Sequence, residues 1–265
     1  MLHLSIGFDI YIGLLAFIFG ACMGSFLNCM AWRIVNGESI TKGRSHCDVC
    51  GHTLSARDLF PILSFLWNRG KCRYCGAKLS AGHLTAEIAS GLTFLLLIFQ
   101  YDISLQALEW LLLACVLLAA SFADLKGYII PDRFIVAGIV FRIPFFFLLP
   151  NGKESLVDAL LGGFLVGGGL LAVVLLYEKM RKVEAMGGGD LKLLFVTGLY
   201  FGWAKNLLCL FFACVIGILF GLVTLKKKEN EDNVQMIPWG PSICAAAIVT
   251  TLIGESLIQA YLQLF

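Results

Sequence analysis

The sequence predicts an all-α polytopic membrane protein of about eight transmembrane helices, with one long polar loop between helices one and two. Hydrophobic residues make up 59% of the 265 residues, charged residues make up 14%, and the mean hydropathy is +0.85. Soluble domains average only about 45–50% apolar residues. The apolar runs are also too long and too uniform for the alternating strands of about 10 residues that form membrane barrels.

Eight stretches are candidate transmembrane helices, because a helix needs about 20 mostly apolar residues, with a range of about 17–25, to cross the hydrocarbon core. They are 8–31, 84–101, 105–123, 129–149, 156–177, 189–203, 206–225 and 239–264. The first has no basic segment before it and no small-residue cleavage pattern after it, so we expect a retained helix rather than a signal peptide. The glycines between 162 and 169 predict close helix packing in the fifth stretch.

The basic residues predict the orientation of these helices, because Lys and Arg concentrate on the cytoplasmic side of a membrane. Fifteen of them lie in the odd-numbered connections, whereas only Lys153 and Lys205 lie in the even-numbered ones. Both termini are therefore expected outside, and the polar loop from Arg33 to His83 is expected inside. The net charge of +2 is too small to predict a nucleic-acid partner, and membrane lipid is the expected surrounding.

Two aspartates are the candidate catalytic residues. Asp124 ends the third apolar stretch, and Asp190 follows three glycines and opens the sixth. The predicted orientation places both at cytoplasmic helix ends, and ionisable groups at membrane depth are costly and usually functional. Peptide hydrolysis by a carboxylate pair needs one ionised and one protonated member, and two adjacent carboxylates share a proton in this way. The pair predicts an aspartic protease, with glycines 187–189 leaving room for substrate.

Other interpretations of the acidic residues stay open. Either aspartate could be a polar residue at the membrane interface, and Asp190 could cap a helix. Asp132 fits equally well as an N-terminal helix residue, and four further acidic residues lie near or beyond the outer helix ends: Asp102, Glu109, Asp158 and Glu255. A transporter or channel is an alternative function, although the helix centres carry almost no ionisable groups.

The polar loop carries four cysteines with metal-ligand spacing, Cys47, Cys50, Cys72 and Cys75. Two C-x2-C pairs separated by 21 residues suit a tetrahedral structural zinc ion, and the glycine after each pair permits a tight turn. Free thiols or disulfides compete with this interpretation, although the loop is expected on the reducing side of the membrane. His46 or His52 could replace one cysteine as a ligand. A membrane thiol oxidoreductase would instead need the pairs on the oxidising side.

Several motifs, taken in order from about residue 20 to 245, resemble the bacterial type IV prepilin peptidases. They are Gly24-Ser25-Phe26-Leu27-Asn28 with Arg33, the two cysteine pairs, Pro61-Ile62-Leu63-Ser64, Arg69 to Cys75, Glu87, Asp124 with Ile129-Ile130-Pro131, Met186 to Lys192, and Pro238-Trp239-Gly240-Pro241. The resemblance implies an enzyme of the bacterial inner membrane that removes the leader of type IV prepilins or pseudopilins. It implies cleavage after a glycine at the cytoplasmic face, with Asp124 and Asp190 catalytic.

The resemblance also implies a second activity, because relatives with the cysteine loop usually methylate the new amino terminus with S-adenosyl-L-methionine. Gly70 and Lys71 match positions tied to that activity, and we place Glu87 with them as a cofactor-binding residue. Relatives commonly have proline where this chain has Asp48, a difference that metal binding should survive. The expected organisation is a first transmembrane helix at 1–31, a four-cysteine zinc-binding loop and candidate methyltransferase region at 32–83, and a transmembrane peptidase domain at 84–265.

Overall fold

The computed structural model describes residues 6–41, 43–47, 49–149, 152–182, 186–226 and 237–264. Four residues that the sequence interpretation uses lie outside these ranges: Lys42, Asp48, Lys227 and Lys228. Nine α-helices occupy most of the described chain. They are α1 (Ile6–Val35), α2 (Leu63–Trp67), α3 (Ala81–Tyr101), α4 (Leu105–Gly127), α5 (Asp132–Leu148), α6 (Gly152–Leu161), α7 (Gly169–Arg181), α8 (Gly188–Lys226) and α9 (Gly240–Leu262).

The remaining regular structure is short. A 3-10 helix covers Ala56–Leu59, and a π-helical segment, Gly162–Gly168, joins α6 to α7. Within the described ranges, extended pairing is limited to two isolated bridges, His46 with Thr53 and Lys71 with Lys78. The predicted helical fold class is therefore confirmed.

Six helical segments of the described chain are long and apolar enough to cross a membrane. They lie in α1, α3, α4, α8 and α9, and in Leu156–Arg181, which runs from α6 through the π-helical segment into α7. Helix α5 has 17 residues, at the lower limit of the range of about 17–25 for a transmembrane helix. These segments make the chain a multi-pass membrane protein.

Helix α8 reverses direction at Gly202, whose φ of 73° and ψ of −178° are not helical. The side-chain amide of Asn206 donates to the carbonyl oxygen of Leu194 at 3.1 Å and accepts from the hydroxyl of Thr197 at 2.8 Å. In a straight helix, residues 194 and 206 would be separated by about 18 Å along the axis. The halves of α8, 188–201 and 203–226, therefore lie side by side and correspond to the sixth and seventh predicted stretches.

Within the first compact unit, Met1–Ala107, helix α1 packs closely against α3. A β-carbon at Gly20 would lie 2.6 Å from Cβ of Phe94, and one at Gly24 would lie 2.5 Å from Oγ of Ser90. Glycines at these two positions let the backbones of apolar helices approach each other. This packing brings together the two ends of the polar loop.

Within the second unit, Leu108–Phe265, helix α8 packs against α5, α6, the π-helical segment and α9. A β-carbon at Gly162 would lie 2.5 Å from the carbonyl oxygen of Gly198, so these segments touch through their backbones. The close packing predicted for the glycines between 162 and 169 is confirmed at this position. Helix α4 is deeply buried, with Ala120 and Ala123 inaccessible to solvent.

Polar side chains hold the reversal of α8. Nε of Arg142 donates to the carbonyl oxygen of Leu199 at 2.9 Å, and its guanidinium forms an ion pair with Glu109. On the other side of the reversal, the amide of Trp203 donates to Oδ1 of Asp158 at 3.4 Å. The break frees helical backbone groups, and these side chains satisfy them, Arg142 from a buried position and Asp158 from an exposed one.

Candidate active site and metal centre

Asp124 lies in the last turn of α4 and is buried, with 5% of its surface exposed. Its Oδ2 accepts a hydrogen bond of 2.8 Å from the backbone amide of Gly240, the first residue of α9. The indole of the neighbouring Trp239 donates to the carbonyl oxygen of Ala213 at 3.1 Å and thereby fixes this turn. The Pro-Trp-Gly-Pro motif therefore contacts Asp124, which sequence spacing alone did not suggest.

Asp190 lies in the first turn of α8, close enough to Asp124 for the two carboxyl groups to interact electrostatically. Its Oδ1 is buried and has no hydrogen-bond donor among the residues that the structure describes. Gly189 brings the two segments together, because a β-carbon there would lie 2.8 Å from Cβ of Ile130. The structure therefore places both predicted aspartates in one site, with the connection after α4 packed against the start of α8.

The other acidic candidates have different surroundings. Asp132 pairs with Lys192 at 2.6 Å, and both side chains are largely exposed. Glu255 pairs with Lys205 at 2.5 Å. Asp158 and Glu109 belong to the network that holds the reversal of α8, as described above. Sequence analysis missed that network. The one feature of the sequence that could have indicated it is a lone arginine, Arg142, inside an apolar stretch.

The four loop cysteines form one cluster, in which all four sulfur atoms lie within 4.8 Å of one another. Sγ of Cys47 and Sγ of Cys75 are 4.0 Å apart. Zinc–sulfur bonds of about 2.3 Å in a tetrahedron place the sulfurs about 3.8 Å apart, so the donor set fits a zinc ion. The predicted metal cluster is confirmed as a group that could hold a metal.

Two hairpins with the same pattern of backbone hydrogen bonds carry these thiols. In each, the amide of the first cysteine donates to the carbonyl oxygen five residues later, at 3.0 Å for Cys47 and 2.7 Å for Cys72. The backbone amide of the glycine after each pair donates to the carbonyl oxygen of the first cysteine. Each of these glycines has a positive φ, 68° at Gly51 and 73° at Gly76. Hydrogen bonds from the amides of Cys50 and Val49 lower the pKa of Cys47 to about 7. A thiolate, the form that binds zinc, is favoured there.

A cavity of about 190 Å³ lies beside the hairpins in the first unit, and Lys71 and Glu87 are among its lining residues. Oε2 of Glu87 accepts the amide of Ile62 at 2.7 Å and so holds the loop against α3. Gly70 has a φ of 67°, and a β-carbon there would lie 3.0 Å from the ring of Phe65. Gly70 thus shapes the loop backbone, whereas Lys71 and Glu87 line the cavity.

The chain matches two protein-family models. Residues 18–101 match the bacterial peptidase A24 N-terminal domain, and residues 111–222 match the type IV leader peptidase family. No solved structure matches the chain significantly.

Several curated proteins are similar over most of the chain. A prepilin leader peptidase/N-methyltransferase of Bacillus subtilis is 32% identical over 250 residues, which cover 94% of this chain and 97% of that protein. A protein of the same name from Stutzerimonas stutzeri is 33% identical over 222 residues, covering 83% of this chain and 75% of that protein. Another from Myxococcus xanthus is 32% identical over 228 residues, covering 84% and 68%.

Proposed function

The chain belongs to the type IV leader peptidase family, as its motifs predicted, and from this membership we propose that it is a membrane aspartic endopeptidase acting on type IV prepilins or pseudopilins. The enzyme removes the leader by cutting after a glycine and then methylates the new amino terminus. The family membership favours this function over a transporter or channel. Its relatives carry the combined name of leader peptidase and N-methyltransferase.

The observation that carries the peptidase proposal is the convergence of Asp124 and Asp190. Asp124 receives an amide donor from Gly240, whereas Oδ1 of Asp190 receives none from the described residues. A hydrogen bond to a carboxylate is stronger when the group is ionised. We therefore assign Asp124 as the base that takes a proton from water, and Asp190 as the acid that donates to the scissile carbonyl.

The charge and hydrophobicity of a prepilin suit cleavage at the cytoplasmic ends of the helices that carry the two aspartates. A basic leader stays on the cytoplasmic side of the inner membrane while the apolar helix of the pilin lies in the bilayer. The scissile bond between them then reaches the depth of two aspartates at cytoplasmic helix ends. In this proposal the protein crosses the inner membrane eight times, with the cysteine loop and both aspartates on the cytoplasmic side.

The second activity is assigned to the region at 32–83 and the start of α3. A zinc ion held by the four cysteines would be structural, because four thiolates leave no open position for a substrate. S-adenosyl-L-methionine would supply an electrophilic methyl group for the new amino terminus. Gly70, Lys71 and Glu87 are the proposed cofactor-binding residues.

The peptidase proposal is tested with purified protein in detergent and a synthetic prepilin, following leader removal by mass spectrometry. Asp124→Asn and Asp190→Asn should each abolish cleavage while the protein accumulates normally in the membrane. Asp132→Asn is the matched control, because that exposed aspartate pairs with Lys192, and it should retain cleavage. Cleavage by either of the first two variants would remove that residue from the catalytic pair.

A further inference from the structure

The polar loop contains an apolar segment, residues 59–67, whose large side chains are exposed. Five of them fall within these nine residues: Leu59, Phe60, Leu63, Leu66 and Trp67. Leu66 is 59% exposed and Trp67 is 72% exposed. On a surface that faces water, such a concentration is uncommon and usually marks a contact with a partner protein or a membrane.

The short helix α2 in this segment turns its more apolar side away from the protein. The residues of the segment and its end that line the cavity beside the cysteine hairpins are Ser64, Phe65 and Asn68. The residues on the exposed side are Leu63, Leu66 and Trp67. A helix that faces water has the opposite distribution, with its apolar side against the core. A helix in the interface of a bilayer turns its apolar side to the lipid.

Two contacts place the apolar segment beside transmembrane helices. The amide of Ile62 donates to Oε2 of Glu87 at 2.7 Å, and Glu87 lies about 9 Å along the axis of α3 from its first residue. Ser64 lines the same cavity as Ser25, which lies about 15 Å along the axis of α1 from its last residue. Both helices are long and apolar enough to cross a membrane. The apolar segment therefore lies alongside their ends rather than beyond them.

The backbone of the apolar segment is suited to a position at lipid. The amides of Ser64 and Leu66 donate to the carbonyl oxygens of Phe60 and Ile62, both at 3.0 Å. The amide of Ile62 itself has the carboxylate of Glu87 as its acceptor. Backbone groups near hydrocarbon need such partners within the protein, because water is scarce there.

The charges around the apolar segment also suit a lipid surface. Arg57 and Arg69 flank it, and both are exposed. Asp58 accepts hydrogen bonds from the hydroxyl groups of Ser55 and Tyr74, at 2.6 and 3.1 Å. The charge of Arg73 also acts on Asp58, so this carboxylate is engaged within the loop. The flanking guanidinium groups match lipid phosphates, and tryptophan favours the boundary between headgroups and acyl chains.

We propose that residues 59–67 form an interfacial membrane contact. Their apolar side chains insert between the headgroups and the acyl chains of the bilayer on the side of the loop, and Arg57 and Arg69 bind lipid phosphates. The contact holds the loop, with its cysteine hairpins, at a fixed depth from the membrane surface. This inference goes beyond the proposed function and depends on neither of its two activities.

The fluorescence of Trp67 tests the contact in the full-length protein in nanodiscs of phosphatidylcholine and phosphatidylglycerol, which leave both membrane faces open to solutes. The emission of Trp67 is the difference between the unaltered protein and Trp67→Phe. Phosphatidylcholine brominated near the headgroup end of its acyl chains should quench this emission at least about twofold. Iodide in the water should change it by less than about a fifth.

Val49→Trp, made in the Trp67→Phe protein, is the matched control. Val49 is also 72% exposed, but it lies in the first cysteine hairpin. His46 of that hairpin contacts the ring of Trp32, beyond the end of the first predicted transmembrane stretch. The added tryptophan, measured against Trp67→Phe alone, should be quenched by iodide and not by brominated lipid. The thermal unfolding temperature of each variant checks that it is folded.

The other outcomes would overturn the inference. Iodide quenching of Trp67 as strong as at position 49, with no effect of brominated lipid, would place the segment in water. Protection of Trp67 from both quenchers would mean that protein covers it, either a second copy or the rest of the chain. Protection from iodide that arises only when a prepilin is added would make the segment a substrate contact.

Quenching of both positions by brominated lipid would show that the whole loop lies on the bilayer, which would overturn the assignment to residues 59–67. None of these measurements involves Asp124 or Asp190. Failure of the membrane contact would therefore leave the proposed peptidase function standing.

Discussion

The backbone amide of Gly240 donates to Oδ2 of Asp124 across 2.8 Å, although 116 residues separate them in sequence. A β-carbon at Gly240 would lie 2.8 Å from that oxygen and 3.1 Å from Cβ of Asp124. Gly240→Ala should therefore displace the carboxyl group and lower kcat/KM for leader cleavage at least tenfold. A tenfold loss corresponds to about 1.4 kcal/mol of transition-state stabilisation. Gly169→Ala has open space around its β-carbon and should cleave normally. Normal cleavage by Gly240→Ala would contradict this contact.

The glycines before Asp190 should differ in how well they tolerate substitution by alanine. A β-carbon at Gly189 would lie 2.8 Å from Cβ of Ile130, whereas one at Gly188 would meet nothing within 4 Å. Gly189→Ala should push the start of α8 away from the connection after α4 and strongly reduce kcat for leader removal. Gly188→Ala should leave kcat within about threefold of the original. Equal loss in both variants would instead indicate that substrate needs the space at Gly188.

Removing Arg142 should cost far more stability than removing an exposed cation. Arg142→Leu leaves Glu109 buried without its partner and the carbonyl oxygen of Leu199 without its donor. The expected cost is about 3–5 kcal/mol, visible as a large fall in the thermal unfolding temperature in detergent. Lys192→Ala breaks only the exposed pair with Asp132 and should cost less than about 1 kcal/mol. Similar unfolding temperatures for the two variants would show that the buried pair contributes little.

The purified protein should contain one zinc ion per chain, held by thiolates alone. Cys47→Ser and Cys72→Ser should each lose the metal, because a structural zinc site needs all four ligands. Cys214→Ser, which alters an exposed cysteine of α8, should keep it. Elemental analysis of detergent-purified protein is the measurement. His46→Ala or His52→Ala with less than half the zinc would show that a histidine completes the site.

The thiol of Cys47 should ionise at lower pH than an ordinary cysteine once zinc is removed. Amide donors lower its pKa to about 7, so the thiolate is present above that pH and is lost as the pH falls through it. The alkylation rate at Cys47 should therefore reach half its maximum near pH 7, as followed by mass spectrometry of the chelated protein. A free peptide spanning residues 44–55 should titrate near the ordinary value of about 8.5. The same midpoint in both would show that the metal, rather than the hairpin, holds the amides in place.

Local patterns predicted much of the fold and of the site. Hydropathy located the helices, the C-x2-C spacing located the metal cluster, and the glycines before Asp190 marked one half of the candidate active site. These signals are visible because they lie within a few residues of one another. Asp124 was proposed by the same logic, since a carboxyl group at the end of an apolar stretch is conspicuous.

The contacts that sequence analysis missed all join distant segments. Glu109 meets Arg142, Asn206 meets Leu194, and the Pro-Trp-Gly-Pro turn meets Asp124. Arg142 and Asp124 stand out in their own stretches, but only tertiary packing shows which residue each of them meets. The sequence interpretation divided this region into stretches at 189–203 and 206–225, and the helix breaks at Gly202, yet nothing local showed that a buried asparagine would hold the two halves side by side.

The reversal at Gly202 also fixes how the first half of α8 is rotated about its own axis. Asn206 and Arg142 anchor the end of its first half, so the azimuth of Asp190 around the helix axis depends on the number of residues between that anchor and the carboxyl group. One residue inserted there would turn Asp190 by about 100° and raise it by about 1.5 Å, away from Asp124. The length of this short half is therefore as much a determinant of the proposed catalytic geometry as the identity of the aspartate it carries.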